Sequence, residues 1–304
     1  MVINMKTFYT LVFIFTLSSI NISAQEKREY YESGMLKQVE NYTNDKLNGT
    51  AEYYYEQGTL KEKSGYREGK RDGEAFFYYP NGILKEAISF SNGKYSGLYR
   101  SYFETGALRE SGNYSDGLPE GVFKSYYETG ELKVSMPFSG GKRNGKSFDY
   151  YGNGALKAET EYKDDAQDGI TKMYYENGQL KGEWTFLQGN LHGTGKEYSE
   201  NGQLTVEKNF AYGKLEGVTK TYNNNILKSE SNYKKGMREG MTKSYYDSGS
   251  LWTEQNYTKG KLNGLTKIYR QDNSLWYEES YENGALKESK EYSEDGKLVS
   301  VKDL

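Results

Sequence analysis

Few side chains in this sequence are equipped for chemistry. It holds one histidine, His192, and no cysteine, which excludes thiol catalysis, disulfides and a lipid-bearing N-terminal cysteine. His192 stands in Gly189-Asn190-Leu191-His192-Gly193, at a position where other copies of the same pattern carry Asn, Asp, Ser or Glu. It reads as a turn residue. Carboxylates are plentiful, but Glu32, Glu56, Glu104, Glu128, Glu176 and Glu200 recur at one place in a repeating unit. Nothing sets one copy apart as a general acid. Clustered metal ligands, a Ser-His-Asp grouping and a phosphate-cradling loop are all missing from the sequence, so no catalytic residue, metal or cofactor is expected. The formal charge is −3 with acids and bases interleaved, so no basic stripe favours nucleic acid or anionic lipid. Recognition by aromatic side chains is the chemistry that remains.

The elements that position these residues are set by a period. A glycine falls at Gly34, Gly58, Gly82, Gly106, Gly130, Gly154, Gly178 and Gly202, every 24 residues, and continues as Asn225, Gly249, Asn273 and Gly296 with two one-residue contractions. Such a period marks an array of one supersecondary unit. Asparagine, the substitute at 225 and 273, is the residue after glycine best able to hold a positive φ, so the column marks left-handed turns. A second column runs from Gly69 to Gly284, with Asp45 and Asp165 as its exceptions. A third runs from Gly49 to Gly264 and fails only at Glu288.

Each unit therefore has two turns joined by two runs of about six or seven residues that alternate and are rich in aromatics, which is a strand signature. Asn-Gly between such runs signals hairpins, and helix is excluded because no run is long enough. Of the three prolines, Pro80 and Pro119 are placed in turns and Pro137 at an unpaired or bulged strand position. With 35% hydrophobic residues and a mean hydropathy of −0.94, the chain is too polar for the inner faces of a sandwich. The expected fold is all-β: an elongated single-layer antiparallel sheet of tandem β-hairpins, roughly 10 Å per hairpin.

Side-chain columns should hold that sheet together. Leu36 and its counterparts to Leu275, and six residues later the aromatic column from Tyr42 to Tyr281, share a face by parity and form the expected thin core. The Tyr pair before each turn adds apolar area while its hydroxyls stay wet. The Glu column is expected to pair with the Lys column (Lys37, Lys61, Lys85, Lys133, Lys157, Lys181) across turns, each exposed pair contributing little. The charged run Lys287–Glu291 is expected to guard the C-terminal edge, and the N-terminal edge to be less protected.

The unit Tyr-Tyr-Glu-Asn-Gly-Gln-Leu-Lys at Tyr174–Lys181, with Tyr-x-x-Gly-Lys-x-x-Gly as at Tyr66–Gly73, resembles the variant MORN repeat of bacteria, in eleven full copies plus a partial twelfth. The resemblance implies a MORN-like single layer of β-hairpins acting in protein or lipid interaction, without catalytic residues. Many members are antitoxin-like.

Residues 1–24 break the pattern. Lys6, the apolar run Phe8–Leu17 and a small residue at Ala24 have the form of a secretory signal peptide, leaving 25–304 as a single repeat array. Export argues against a cytoplasmic antitoxin. The expected role is an exported, non-catalytic scaffold whose partner is another protein; a glycan or cell-wall module and an antitoxin or immunity-type inhibitor are the alternatives. Function is sought where the repeat breaks. Trp252 and Trp276 replace lysine in adjacent copies, on the face opposite the leucines and about 10 Å apart. With Tyr277 and Arg270 they form the candidate binding patch, against the alternative that they cap the array's end. Trp184 shares the leucine parity.

Overall fold

The computed structural model describes residues Ser23–Leu304. The leader expected over 1–24 lies, except for its last two residues, outside the described residues; the first strand starts at Ala24. The described chain is strand and turn throughout, 26 strand segments from Ala24–Tyr30 to Leu298–Asp303. Each segment pairs antiparallel with its neighbour in sequence, beginning with Ala24 opposite Thr43 and ending with Glu288 opposite Asp303. Two strands are interrupted by one residue, Lys142–Arg143 before Gly145–Tyr150 and Lys214–Leu215 before Gly217–Asn223. Most strands are eight or nine residues long, longer than the alternating runs suggest, because they continue through bulges.

The two turns of a unit differ in kind. In the first, the Tyr55 N–H donates to the Thr59 carbonyl and the Gly58 N–H to the Tyr55 carbonyl, both at 2.8 Å. This is a type I turn closed by a left-handed residue, and Gly58 has φ 90°. Through the column φ lies between 80° and 102° for glycine, and is 62° at Asn225 and 68° at Asn273. The second turn is a two-residue loop with both residues left-handed, as at Asn92 (51°) and Gly93 (82°), the form that matches strand twist. The contraction before Asn225 is a change of turn type: Asn223 pairs with Ile226 across Asn224 and Asn225, at φ 48° and 62°.

The third glycine column marks bulges. Tyr257 pairs with Leu262 and Gln255 with Thr266, so the strand Lys261–Tyr269 carries two extra residues, with Gly264 among them at φ 95°. In the last copy Tyr281 pairs with Leu286 and Ser280 with Glu288, one extra residue only. The shorter bulge accounts both for the second contraction and for the glycine missing at 288. Asparagines opposite the bulge cap the carbonyl it frees: Asn232 donates to Met241 and Asn256 to Leu265, at 2.9 Å each. Pro137 stands in this column, in register with Val122 on one side and opposite the bulge on the other. Pro119 lies in the strand Leu118–Tyr126, not in a turn.

The core is not centred where the Leu and Tyr columns predict. Those side chains are half-buried apart from Phe90, and the buried row runs between them through directly paired residues: Ala51, Ser64, Ala75 and Ile88, each no more than 2% exposed. Farther along it continues through Ser147, Thr160 and Thr171, and through Ser231 and Thr242. Small residues are buried here because the long side chains beside them close over a single layer. Arg71 lies over the Phe77 and Phe90 rings and grips Glu62 at 2.6 Å, which also accepts from the Ser64 hydroxyl at 2.7 Å. In the middle units Tyr99 and Phe123 enter the row, and Tyr114 and Phe138 of the aromatic column join them in successive ring contacts. Trp184 occupies the same row, between Thr171 and Gly195.

The sheet's edges also reverse the expectation. Lys287–Glu291 is in the penultimate strand, and the edge strand Leu298–Asp303 exposes Leu298, Val299 and Val301. The N-terminal edge strand is the charged one, with Arg28–Glu26 and Lys27–Glu29 ion pairs.

Trp184 fits because Gly182 and Gly195 leave room: a Cβ at either would run into the indole. Gly182→Ala should cost about 1–3 kcal/mol by overpacking. Adding Trp184→Thr, the residue type at 160 and 171, should recover most of it, measured by urea unfolding and by hydrogen exchange across residues 180–198.

Candidate binding surface

At the first-turn edge, seven units are tied to the next by their second tyrosine. The Tyr55 hydroxyl donates to the Tyr78 carbonyl at 2.8 Å, 23 residues on. The same bond, at 2.7–2.9 Å, joins Tyr31 to Tyr54, Tyr79 to Tyr102, Tyr127 to Tyr150, Tyr151 to Tyr174, Tyr175 to Tyr198 and Tyr246 to Tyr269. These hydroxyls are structural rather than wet. The lysines do not pair with the Glu column as expected. Lys61, Lys85, Lys133, Lys157 and Lys181 lie over the rings of Tyr55, Tyr79, Tyr127, Tyr151 and Tyr175, at 5.4–5.7 Å from the centroids. Each contact is worth about 0.5–1 kcal/mol at an exposed site. Where Ser199 replaces the tyrosine, Thr205 replaces the lysine.

The four residues singled out from the sequence fall into this same arrangement. Arg270 takes the tyrosine's place, and its Nη2 donates to the Tyr292 carbonyl at 2.6 Å, where the hydroxyl bond would be. Its guanidinium lies 5.3 Å from the centroid of Trp276, which stands in the lysine column. Cation and ring have exchanged places. Tyr277 stacks on Trp276 at 5.1 Å and donates to Glu291 at 3.1 Å. Trp252, one unit earlier, sits 5.9 Å from Tyr246. The indoles keep 46% (Trp252) and 39% (Trp276) of their surface exposed, so both remain accessible while Arg270 and Trp276 also carry a structural contact.

His192 lies in the strand Asn190–Tyr198, not in a turn. Its column elsewhere accepts the turn amide of the next unit, as Asp72 does from Asn92, Glu216 from Lys235 and Glu239 from Lys259. In place of that bond the His192 ring meets Tyr212 edge-on at 5.1 Å. Among the described residues no group of three or more potential ligands is placed to hold a metal.

Sequence reasoning missed the face opposite the buried row. Its central row runs from Arg28 and Val39 into Glu52 and Lys63, an ion pair at 3.0 Å. From Glu159 it alternates in sign through direct cross-strand neighbours: Lys172, Glu183, Lys196, Glu207, Lys220, Glu230, Lys243, Glu254, Lys267, Glu278 and Lys290. Tyrosines reinforce it. Tyr54 donates to Glu52 at 2.7 Å, and burial with that bond pushes its phenol up to about 12. The hydrogen bond from Lys243 holds Glu254 below the usual carboxylate range. Between these stretches the row reads Phe76, Ala87, Arg100, Ser111, Lys124, Ser135, Phe148, and contains no carboxylate. The signal was in the column two residues before the first tyrosine of each pair, but reading it across strands needs the bulge register.

The chain matches the MORN repeat variant over residues 26–44, 47–68, 71–92, 95–116, 119–139, 143–164, 167–188, 191–212 and 238–259. These segments make up more than half of the sequence, and the chain belongs to that family. It is a repeat scaffold of the type used in protein or membrane interaction. No curated protein matches it. The crystal structure of TcdB2-TccC3-TEV aligns over 92% of this chain and 15% of that one, at 14% identity and a TM-score of 0.21. The Photorhabdus luminescens Tc holotoxin pore with a TccC3 mutation aligns over the same shares at 13% and 0.21. The chain thus spans about 15% of the length of these chains, and scores this low carry no argument.

The exchange at 270 and 276 is testable as a double-mutant cycle. Trp276→Lys alone sets a second cation beside Arg270 and should cost about 0.5–1.5 kcal/mol; adding Arg270→Tyr restores the tyrosine–lysine pair and should recover most of it in urea unfolding. Glu52 and Glu254 both have carboxyls lowered on folding, Glu52 chiefly by Tyr54 and Glu254 by Lys243. Their contribution is therefore complete above the unfolded carboxylate range and lost as pH falls through the folded one. The thermal midpoint should drop in that acid window, and less so in a Glu52→Gln, Glu254→Gln chain.

Proposed function

We propose that this MORN-repeat chain is an exported, non-catalytic scaffold that binds another protein in the cell envelope or outside the cell. The observation that carries the reading is how the unit uses its own polar groups. Tyrosine hydroxyls, bulge asparagines and turn-facing carboxylates are bonded to backbone of the same or the next unit. What stays available is surface rather than a reactive centre. Support for export is the pattern of Lys6, Phe8–Leu17 and Ala24. Support for a protein rather than a lipid partner is the charge of −3 together with the self-neutralising rows. Trp252 and Trp276, with Tyr277 and Arg270, are a first contact point, since large half-exposed aromatics beside an arginine have the composition of interface hot spots.

The full chain, expressed with its own residues 1–24 in a Gram-negative host, should appear outside the cytoplasm with Gln25 at its N-terminus. Chemical cross-linking in the envelope fraction should capture a partner protein, and Trp252→Lys with Trp276→Lys, combined with Arg270→Tyr so that no second cation stands beside the new lysine at 276, should reduce that capture while leaving unfolding unchanged within about 1 kcal/mol. Cytoplasmic retention with residues 1–24 intact would sink the export reading. Sedimentation with purified peptidoglycan, reversed by soluble glycan, would replace the protein partner by a cell-wall one.

A further inference from the structure

The interval from Phe76 to Phe148 departs from the rest of its face in three respects. The first is charge. Arg100 has Ala87 and Ser111 as direct cross-strand neighbours, and Lys124 has Ser111 and Ser135. Their diagonal neighbours on one side are Ser89, Asn113 and Pro137, and on the other Lys85, Arg109 and Lys133. In every later unit of this row a cation faces a glutamate across the strand; here two cations face serine and alanine. Two uncompensated cations in one row repel each other and attract an anion.

The second respect is apolar surface. Leu98 and Val122 follow bulge glycines and point outward, 61% and 50% exposed, more than Ile170, Met241 and Leu265 at the same position of later units, which stand beside the alternating row. With Arg100, Asn113 and Lys124 they line one shallow groove, which Phe76, Ala87 and Ser89 extend; Glu74 and Glu120 stand at its margins, the Glu120 carboxylate engaged by the Gly140 N–H at 2.8 Å. Phe76 and Phe148 stand where later units carry lysine. The third is an asparagine. Asn41, Asn209, Asn232 and Asn256 cap bulge carbonyls of their units, whereas Asn113 turns to the Tyr114 carbonyl at 3.4 Å and leaves the groove beside Leu98 open. Beneath it lies the aromatic stretch of the buried row, with the Tyr99 and Phe123 rings 6.4 Å apart.

We propose that this groove binds an extended acidic segment of a partner protein, with carboxylates on Arg100 and Lys124 and apolar side chains on Leu98, Val122 and the flanking phenylalanines. Arg100 and Lys124 are two strands apart, about 10 Å, the distance spanned by three residues of extended chain. Phe76 and Phe148 are six strands apart, about 29 Å, which bounds the segment at roughly nine residues. Charge complementarity selects acidic over neutral segments, and the apolar flanks select a peptide over a bare anion or a glycan. The inference rests on the scaffold reading above and adds the partner's chemistry.

Ser111→Glu tests it with the fold intact. The substitution creates the order cation, glutamate, cation already present at Lys196, Glu207 and Lys220, so the thermal midpoint should hold or rise. A phage library of random twelve-residue peptides, selected on the full chain and counter-selected on the Ser111→Glu chain, should enrich sequences with two carboxylates three residues apart among apolar residues. The leading peptide, measured by fluorescence anisotropy, should bind the Ser111→Glu and Arg100→Glu chains at least about tenfold more weakly and lose affinity with salt. Enrichment of neutral or basic sequences, or equal binding to both chains, would overturn the acidic partner while leaving the scaffold reading standing. Absence of any enriched peptide, with phosphatidylglycerol vesicles captured by the wild-type chain and released by Ser111→Glu, would assign the groove to a membrane surface instead.

Discussion

The hydroxyl of Tyr55 reaches the carbonyl of Tyr78, and the bond recurs from unit to unit along one edge of the sheet. A single layer cannot bury a backbone carbonyl freed at a turn or bulge under a second sheet, so a side chain of a neighbouring residue or unit must meet it. The same constraint explains the asparagines opposite the bulges and the acidic residues that accept the turn amides. Lysine, stacked on the tyrosine, holds the ring in place for its bond. Each unit is completed only by the next, so stability is a matter of neighbouring interfaces rather than of one core.

Because these contacts are pairwise, departures from the repeat come in matched sets. Ser199 and Thr205 lose ring and cation together. Arg270 and Trp276 exchange them. Trp184 is flanked by Gly182 and Gly195. Glu288 replaces a glycine where the bulge is shorter by one residue. A set in which a second change accommodates the first preserves the sheet and needs no partner. The row from Phe76 to Phe148 differs: Arg100 and Lys124 lack the glutamates found in later units, and no neighbouring change supplies them. That contrast, within the row itself, is what sets the proposed groove apart from the matched variations.

Much of the fold was legible in the sequence. The period, the strands, the two turns per unit and the asparagine substitutes at 225 and 273 all depend on local conformation, which a residue's own side chain decides. The site was less legible. Trp252 and Trp276 stood out as rare residue types, but their contacts with Tyr246 and Arg270 join positions six residues apart across a turn. His192 appeared to be a turn residue because the glycine after it looks like a turn glycine, whereas that glycine belongs to a bulge.

What the sequence determined by itself was the unit: its length, its hairpin, and which positions need a left-handed backbone, since these follow from steric limits within a few residues. What only the tertiary structure decided was which columns meet. Each bulge inserts residues into one strand of a pair, and every insertion changes which side chain stands opposite which. The buried row of Ala51, Ser64 and Ala75, the alternating row of lysine and glutamate, and its interruption at Arg100 and Lys124 all appear once that register is known. The physical reason is that a single-layer sheet is stabilised by cross-strand neighbours, and neighbours across strands are a property of pairing rather than of order along the chain.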